Sequence, residues 1–572
     1  LCAATAAIRN TAVGHRAGYK TTGSFNTVMG YSALYTNTSG AGNTAIGYSS
    51  MYYSTTSGYN SALGNGSLSK ITTGTQNVAI GNLALCSNTT QSHNVAIGAC
   101  SLMANTTGAD NTAVGANALD ANTTGGYNTA VGRNALTQNT TASFNTAVGR
   151  AALFHNTEGH SNTASGYSAI RLNTTGDYNT AFGREALYCN TTANHNVAVG
   201  HQTSYCNCTG EHNTAIGNYA LHYNCTGSCN VAVGYSALQK NQSGNVNTAS
   251  GYQALYCNTT GSGNNAMGRA AMCKNTTGAV NVGIGDFALS NNTTASYNTA
   301  VGQKALLATT TGSNNVAVGS FSLYNNTTGT ENTAIGRRSL KKTTSGYKNF
   351  AGGSESLYEN TTGCFNIGLG HNSLKSNTTA SHNIGIGGFA LCKNTTGTRN
   401  IAVGHNTMGL NVSGDWNTAM GFNAMYSNTG GCRNTAIGYC ALFDNTTATC
   451  NVAVGYYAAA NNTTGTENIA VGSNSLYKNT TGYKNTAVGA KALQENTTGH
   501  ANTASGFYSL YINTTGLNNT ASGYRSLPYN TTGCLNTAVG SDALCANTTG
   551  ERSAAFGYQA LLKATTGGFN TG

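Results

Sequence analysis

The chain has 572 residues, of which 74 are Gly, 17 are Cys, and one each are Pro and Trp, while only 8% are charged. Gly far below one in three with Pro nearly absent excludes collagen, 39% hydrophobic residues with little charge argue against disorder, and no run of about 18 apolar residues is present to span a membrane as a helix. The net charge of +11 is spread thinly, with no basic block larger than Arg337-Arg338 or Lys341-Lys342, so nucleic acid is not expected as a partner.

Self-similarity dominates the chain. Asn26, Asn43, Asn60, Asn77, Asn94 and Asn111 are 17 residues apart, and this register holds to Asn570 with Ser553 as its one substitution. The first interval, Asn10 to Asn26, is one residue short. Numbered from the leading Asn, the unit reads N-T-A-[VI]-G-x-x-[AS]-L-x-x-N-T-T-G-x-[YF], as in residues 128–144. Seventeen residues are too few for a helical pair but suit two short strands and two tight turns, the Thr/Ala/Val and Ala/Leu runs being the strands. The expected fold is therefore all-β, a β-solenoid (parallel β-roll) of about 33 rungs. Residues 1–572 are expected to form one continuous array without linkers or caps, on the order of 160 Å long at ~4.8 Å per rung.

Each position of the unit has its own expected role. Gly at position 5, as at Gly14, Gly302 and Gly557, implies a positive φ or a backbone approach too close for a Cβ. Position 3 is Ala or Gly except at Val28, which points it into a narrow interior, and the Asn of position 1 shares that parity and can form an amide ladder. Leu at position 9 is the main apolar filler, with Ser204 and Ala459 as weak spots. Position 4 is Val or Ile in most rungs, yet Ser165, Ser250, Ser505, Ser522 and Phe182 occur there. It either faces outward as an apolar ridge that favours lateral self-association, or packs beneath position 9. Aromatic residues at position 17, such as Tyr127, Phe144, Tyr178 and Tyr297, either stack from rung to rung or meet the faces of sugars.

The strand Asn111-Thr-Ala-Val-Gly115 resembles the repeats of trimeric autotransporter adhesin heads and similar tracts of phage tail fibres. The resemblance runs through the whole chain but rests on a short motif. It implies a parallel β-roll, trimerisation, extracellular or virion-surface display, and adhesion. The 17-residue unit is longer than the adhesin unit, and neither a heptad stalk nor a membrane anchor is present in this sequence.

Position 12 opens an N-glycosylation acceptor, Asn-x-Ser/Thr, in 25 of the 31 rungs from residue 37 to residue 547. The candidates are Asn37, Asn88, Asn105, Asn122, Asn139, Asn173, Asn190, Asn207, Asn224, Asn241, Asn258, Asn275 and Asn292. They continue as Asn326, Asn360, Asn377, Asn394, Asn411, Asn445, Asn462, Asn479, Asn496, Asn513, Asn530 and Asn547. Where the middle Thr is lost, as in Asn207-Cys-Thr209 and Asn411-Val-Ser413, the hydroxyl two residues on is kept, which favours covalent glycans over a bare turn ladder. A glycan at every rung would sheath one edge.

The cysteine count suggests an oxidising, extracellular setting. Cys189 with Cys206, and Cys208 with Cys225, sit one rung apart in the same column and are the expected disulfides, with Cys257–Cys273 and Cys432–Cys450 as lesser candidates. The surrounding His201, His212, His222 and Cys229 lack zinc-site spacing. Gly283-Ile-Gly285 and Gly385-Ile-Gly387 match part of a dinucleotide fingerprint only because position 3 is Gly in those rungs. No catalytic, cofactor or metal residues are expected, and a groove-binding lyase is the one enzymatic form the pattern admits. With Leu1 and Gly572 both inside a rung, the expectation is a structural fibril, lateral or end-to-end self-association, and no membrane insertion. The alternative is the shaft of an adhesin or tail fibre that carries a receptor-binding tip.

Overall fold

The computed structural model describes residues 8–572 and is an all-β parallel β-solenoid of 33 strands, each three residues long and placed at positions 2 to 4 of the repeat. The chain divides into two compact units, 1–283 and 284–572. In the first, consecutive strands from β1 (Thr11–Val13) through β16 (Asn265–Met267) pair in parallel with one another. In the second, the same holds from β18 (Thr299–Val301) to β33 (Ala554–Phe556). β17 (Val282–Ile284) lies at the division. The register is one repeat: Thr129 faces Thr146, Ala130 faces Ala147 and Val131 faces Val148. Of the two expected termini, Leu1 lies outside the described residues.

Strand alternation sets the inside and outside of each coil. Ala130 is fully buried, whereas Val131 keeps 37% of its surface exposed. Position 4 thus faces outward, which settles one of the two alternatives for it. Asn128, Ala135, Leu136 and Asn139 are fully buried, so the interior of a coil holds small residues, one Leu and two amides. Ser204 and Ala459 occupy the Leu column and are buried as well.

The Ala-Leu run is not the second strand that its composition suggests. Asn134 and Leu136 both have left-handed backbones, with φ of 59° and 50°, and positions 7 and 9 repeat this along the chain. Two tight turns result, closed by Ala135 N–H to Gly132 O at 3.3 Å and Asn139 N–H to Leu136 O at 3.2 Å. A left-handed non-Gly residue costs about 1–2 kcal/mol. Full burial of a Leu side chain gains about 1.5–3 kcal/mol, enough to hold the turn in that shape. Asn, which tolerates this region better than most residues, recurs at position 7 as Asn117, Asn134, Asn406 and Asn423.

Gly at position 5 does what its invariance implies. Gly302 has φ +131°, and a Cβ there would sit 2.7 Å from the carbonyl carbon of Gly319 in the next rung. The turns are also stitched to neighbouring coils in both directions: Asn134 N–H bonds back to Ala116 O at 3.0 Å, and Leu136 N–H bonds forward to Ala152 O at 3.0 Å. Backbone pairing therefore runs around much of each coil, not only along its strand.

Candidate functional site

The most regular feature of each unit is a pair of buried asparagine ladders. At position 1, Asn128 Oδ1 accepts from the backbone N–H of Asn145 at 3.0 Å, and Asn128 Nδ2 donates to Ala142 O at 2.9 Å. At position 12, Asn139 Nδ2 donates to Ala142 O at 3.0 Å and to Asn122 Oδ1 at 2.8 Å. The second unit repeats the pattern, with Asn485 Nδ2 on Gly499 O at 2.8 Å and Asn496 Nδ2 on Asn479 Oδ1 at 2.7 Å. Amides of the position-1 ladder close their own coil and join it to the next, and those of position 12 do so in most rungs, with gaps at Ile71, Thr309 and Thr343 and no partner for Asn88 Oδ1. Buried polar groups thus serve as the registration device.

This geometry corrects the glycan expectation. All 25 acceptor asparagines named above, from Asn37 to Asn547, are at most 1% exposed. A glycan bonds through Nδ2, the atom that carries these inward hydrogen bonds, and the coil has no room beside it. The folded coil is therefore incompatible with sugar at position 12. Asn139 has structural work instead, and so does Thr140 at the middle position, whose Oγ1 donates to Thr157 O at 3.3 Å, while Thr141, which supplies the acceptor hydroxyl, is exposed.

The disulfide expectation is corrected too. Cys189, Cys206, Cys208 and Cys225 are thiols. Rung-to-rung backbone bonds, such as Cys208 N–H to Cys225 O at 3.0 Å, hold stacked columns at the strand spacing. That spacing, about 4.8 Å with parallel Cβ vectors, exceeds the ~3.8 Å Cβ separation that a disulfide needs. Burial pushes the Cys189 thiol up to about 11, with the neighbouring Cys206, Cys208 and Cys225 adding to the effect. Cys206 and Cys208 are raised for the same main reason. The lesser candidates stand in different columns, Cys257 at position 11 beside Cys273 at 10, and Cys432 at 16 beside Cys450 at 17. Among the described residues, no group of three His, Cys, Asp or Glu side chains could hold a metal ion. The two fingerprint-like segments lie in strand and turn rather than at the start of a helix.

Three kinds of surface face outward. The strand face carries positions 2 and 4, and among the described residues no strand places a charged residue at either. The aromatic columns stack from rung to rung: Tyr127 on Phe144 at 5.2 Å and 4°, and Tyr178 on His195 at 5.0 Å and 1°. Position 6 does the same through Phe422, Tyr439 and Tyr456. Rings in such columns occupy each other's faces and leave mainly edges to a ligand, which favours stacking for Tyr127, Phe144 and Tyr178, whereas Tyr297 stands between Val280 and Asn314 in its column. Charged residues pair along the columns, as in Lys342–Glu359 at 2.7 Å and Lys478–Glu495 at 2.6 Å. A hydrogen bond from Lys375, with Arg338 alongside, holds the Glu355 carboxyl below the usual carboxylate range.

The fold and these columns define the class, a parallel β-solenoid repeat protein. No known family model matches the chain, and no curated protein matches it.

Proposed function

We propose that the protein is a structural shaft, in which each solenoid unit resists extension and holds a fixed geometry. The observation that supports this most is the pair of asparagine ladders, which joins each coil to its neighbours at the core while the backbone joins them around the perimeter. The resemblance to adhesin heads and tail fibres supports a surface setting, with the shaft carrying a receptor-binding tip as the finer form of the reading. A charge-free strand face supports side-by-side association of copies, because burying it desolvates no ion.

Single-molecule pulling on the full chain tests the reading. Release of one 17-residue rung adds about 55–60 Å of contour length at ~3.3–3.6 Å per residue. A load-bearing shaft yields in such steps, or small multiples of them, against sustained force. Extension without resistance would overturn the proposal.

A further inference from the structure

One stretch of the second unit gathers five aromatic residues of two adjacent rungs around an opening. A cavity of about 360 Å³ opens among Phe507, Tyr508, Tyr511, Tyr524, Arg525 and Tyr529, with Pro528 on its wall. Phe507 and Tyr524 keep the position-6 stack at 5.8 Å and 11°. Tyr508 crosses Phe507 at 71°, as Tyr457 crosses Tyr456 at 89°, and is tilted 59° from Tyr511. The rings therefore form the sides of a cup rather than a closed column. Pro528, the one proline of the chain, lines the cup at position 10.

The polar groups of the cup are hydroxyls and cations. Three tyrosines besides Tyr508 line it, and Tyr508 Oη accepts from Lys491 Nζ at 2.8 Å. The Arg525 side chain keeps 39% of its surface exposed and has Asp542 Oδ1 3.6 Å from its Nε. Its Nη2 also lies 4.0 Å from Cys545 Sγ, and Tyr529 is a further partner; a guanidinium has five N–H donors, so these contacts leave others available. Aromatic faces meet the C–H faces of a sugar ring, phenolic hydroxyls match its hydroxyls, and a guanidinium matches a carboxylate in a forked pair. A cation cage is disfavoured by Arg525 in the wall. The volume lies at the small end of the usual 300–1,000 Å³ range for ligand sites.

We propose that this cup binds a hexuronate ring of an acidic polysaccharide, with Tyr524 and Tyr508 against the ring and Arg525 on its carboxylate. The proposal stands apart from the shaft reading, since a shaft needs no such cup.

Calorimetric titration of the full chain with trigalacturonate, beside its methyl-esterified form, provides the test. Saturable binding in the range of about 0.1–1 mM is expected for the acid, with at least tenfold weaker binding of the ester. Arg525→Gln and Tyr524→Ala should each weaken acid binding at least fivefold, whereas Tyr127→Ala, in the stacked pair with Phe144, should not. All three alter outward-facing side chains, and unchanged hydrogen exchange in the neighbouring rungs checks that they fold. Absence of saturable binding at millimolar trigalacturonate, equal binding of acid and ester, or indifference to both cup variants would overturn the assignment.

Discussion

Replacement of Asn128 by Ala probes the ladder most sharply. The substitution removes the Nδ2 bond to Ala142 O and the Oδ1 acceptor of the Asn145 N–H, at 2.9 and 3.0 Å. Ala142 O keeps its second donor, Asn139 Nδ2, so the lasting damage is one orphaned backbone N–H in a fully buried setting. A lost hydrogen bond costs about 1 kcal/mol and an orphaned buried donor about 1–3 kcal/mol, for a local loss of about 2–4 kcal/mol. Hydrogen exchange followed by mass spectrometry reads this directly, because the Thr129 and Thr146 amides pair with the adjoining rungs. Exchange should accelerate about 100-fold in peptides covering residues 128–146 and stay unchanged around residues 485–502. A change below threefold near the site, or equal acceleration in both units, would refute the role given to the ladder.

Substitution of Gly302 by Val places a β-branched side chain at φ +131° against the next rung, costing at least about 2–3 kcal/mol; proteolytic nicking near residues 302–319 should appear, and an unchanged digestion pattern contradicts the expectation. Produced in a host that attaches N-glycans, the folded chain should have an intact mass near 58.4 kDa, and a well-folded form heavier by tens of kilodaltons would overturn the burial argument. With its pKa raised to about 11, Cys189 is almost wholly protonated at pH 8, so alkylation should be roughly ten- to a hundredfold slower than for an ordinary thiol. Its rate should keep climbing with pH to about 11, and a plateau near pH 9 would contradict the assigned environment.

Much of the coil was legible because each position is sampled dozens of times within one chain. The near-restriction of position 3 to Ala and Gly reveals a narrow interior, and the constancy of Gly302 and its counterparts reveals a special backbone. The Ala-Leu run misleads because Leu has no preference for left-handed geometry; burial of Leu136 imposes it, and no propensity reports that. The acceptor pattern misleads for another reason. Asn139 is fixed by inward hydrogen bonds and Thr140 by a rung-to-rung bond, and the exposed Thr141 beside them completes the spacing that a glycosyltransferase reads. The thiol columns looked bridgeable because stacked Cα atoms fall in disulfide range, but backbone pairing fixes the Cβ atoms too far apart. The cup at Tyr508 carried one faint signal, the coincidence of the only proline with five aromatic residues in two rungs. Ring orientation, which turns that coincidence into a cavity, has no signature in the sequence.

A cryo-electron microscopy map fine enough to separate strands tests the central claim most directly. It should show one coil per repeat at a rise of about 4.8 Å, with side-chain density running unbroken from Asn128 to Asn145. Antiparallel strands, α-helical density, or position-12 asparagines pointing into solvent would contradict it.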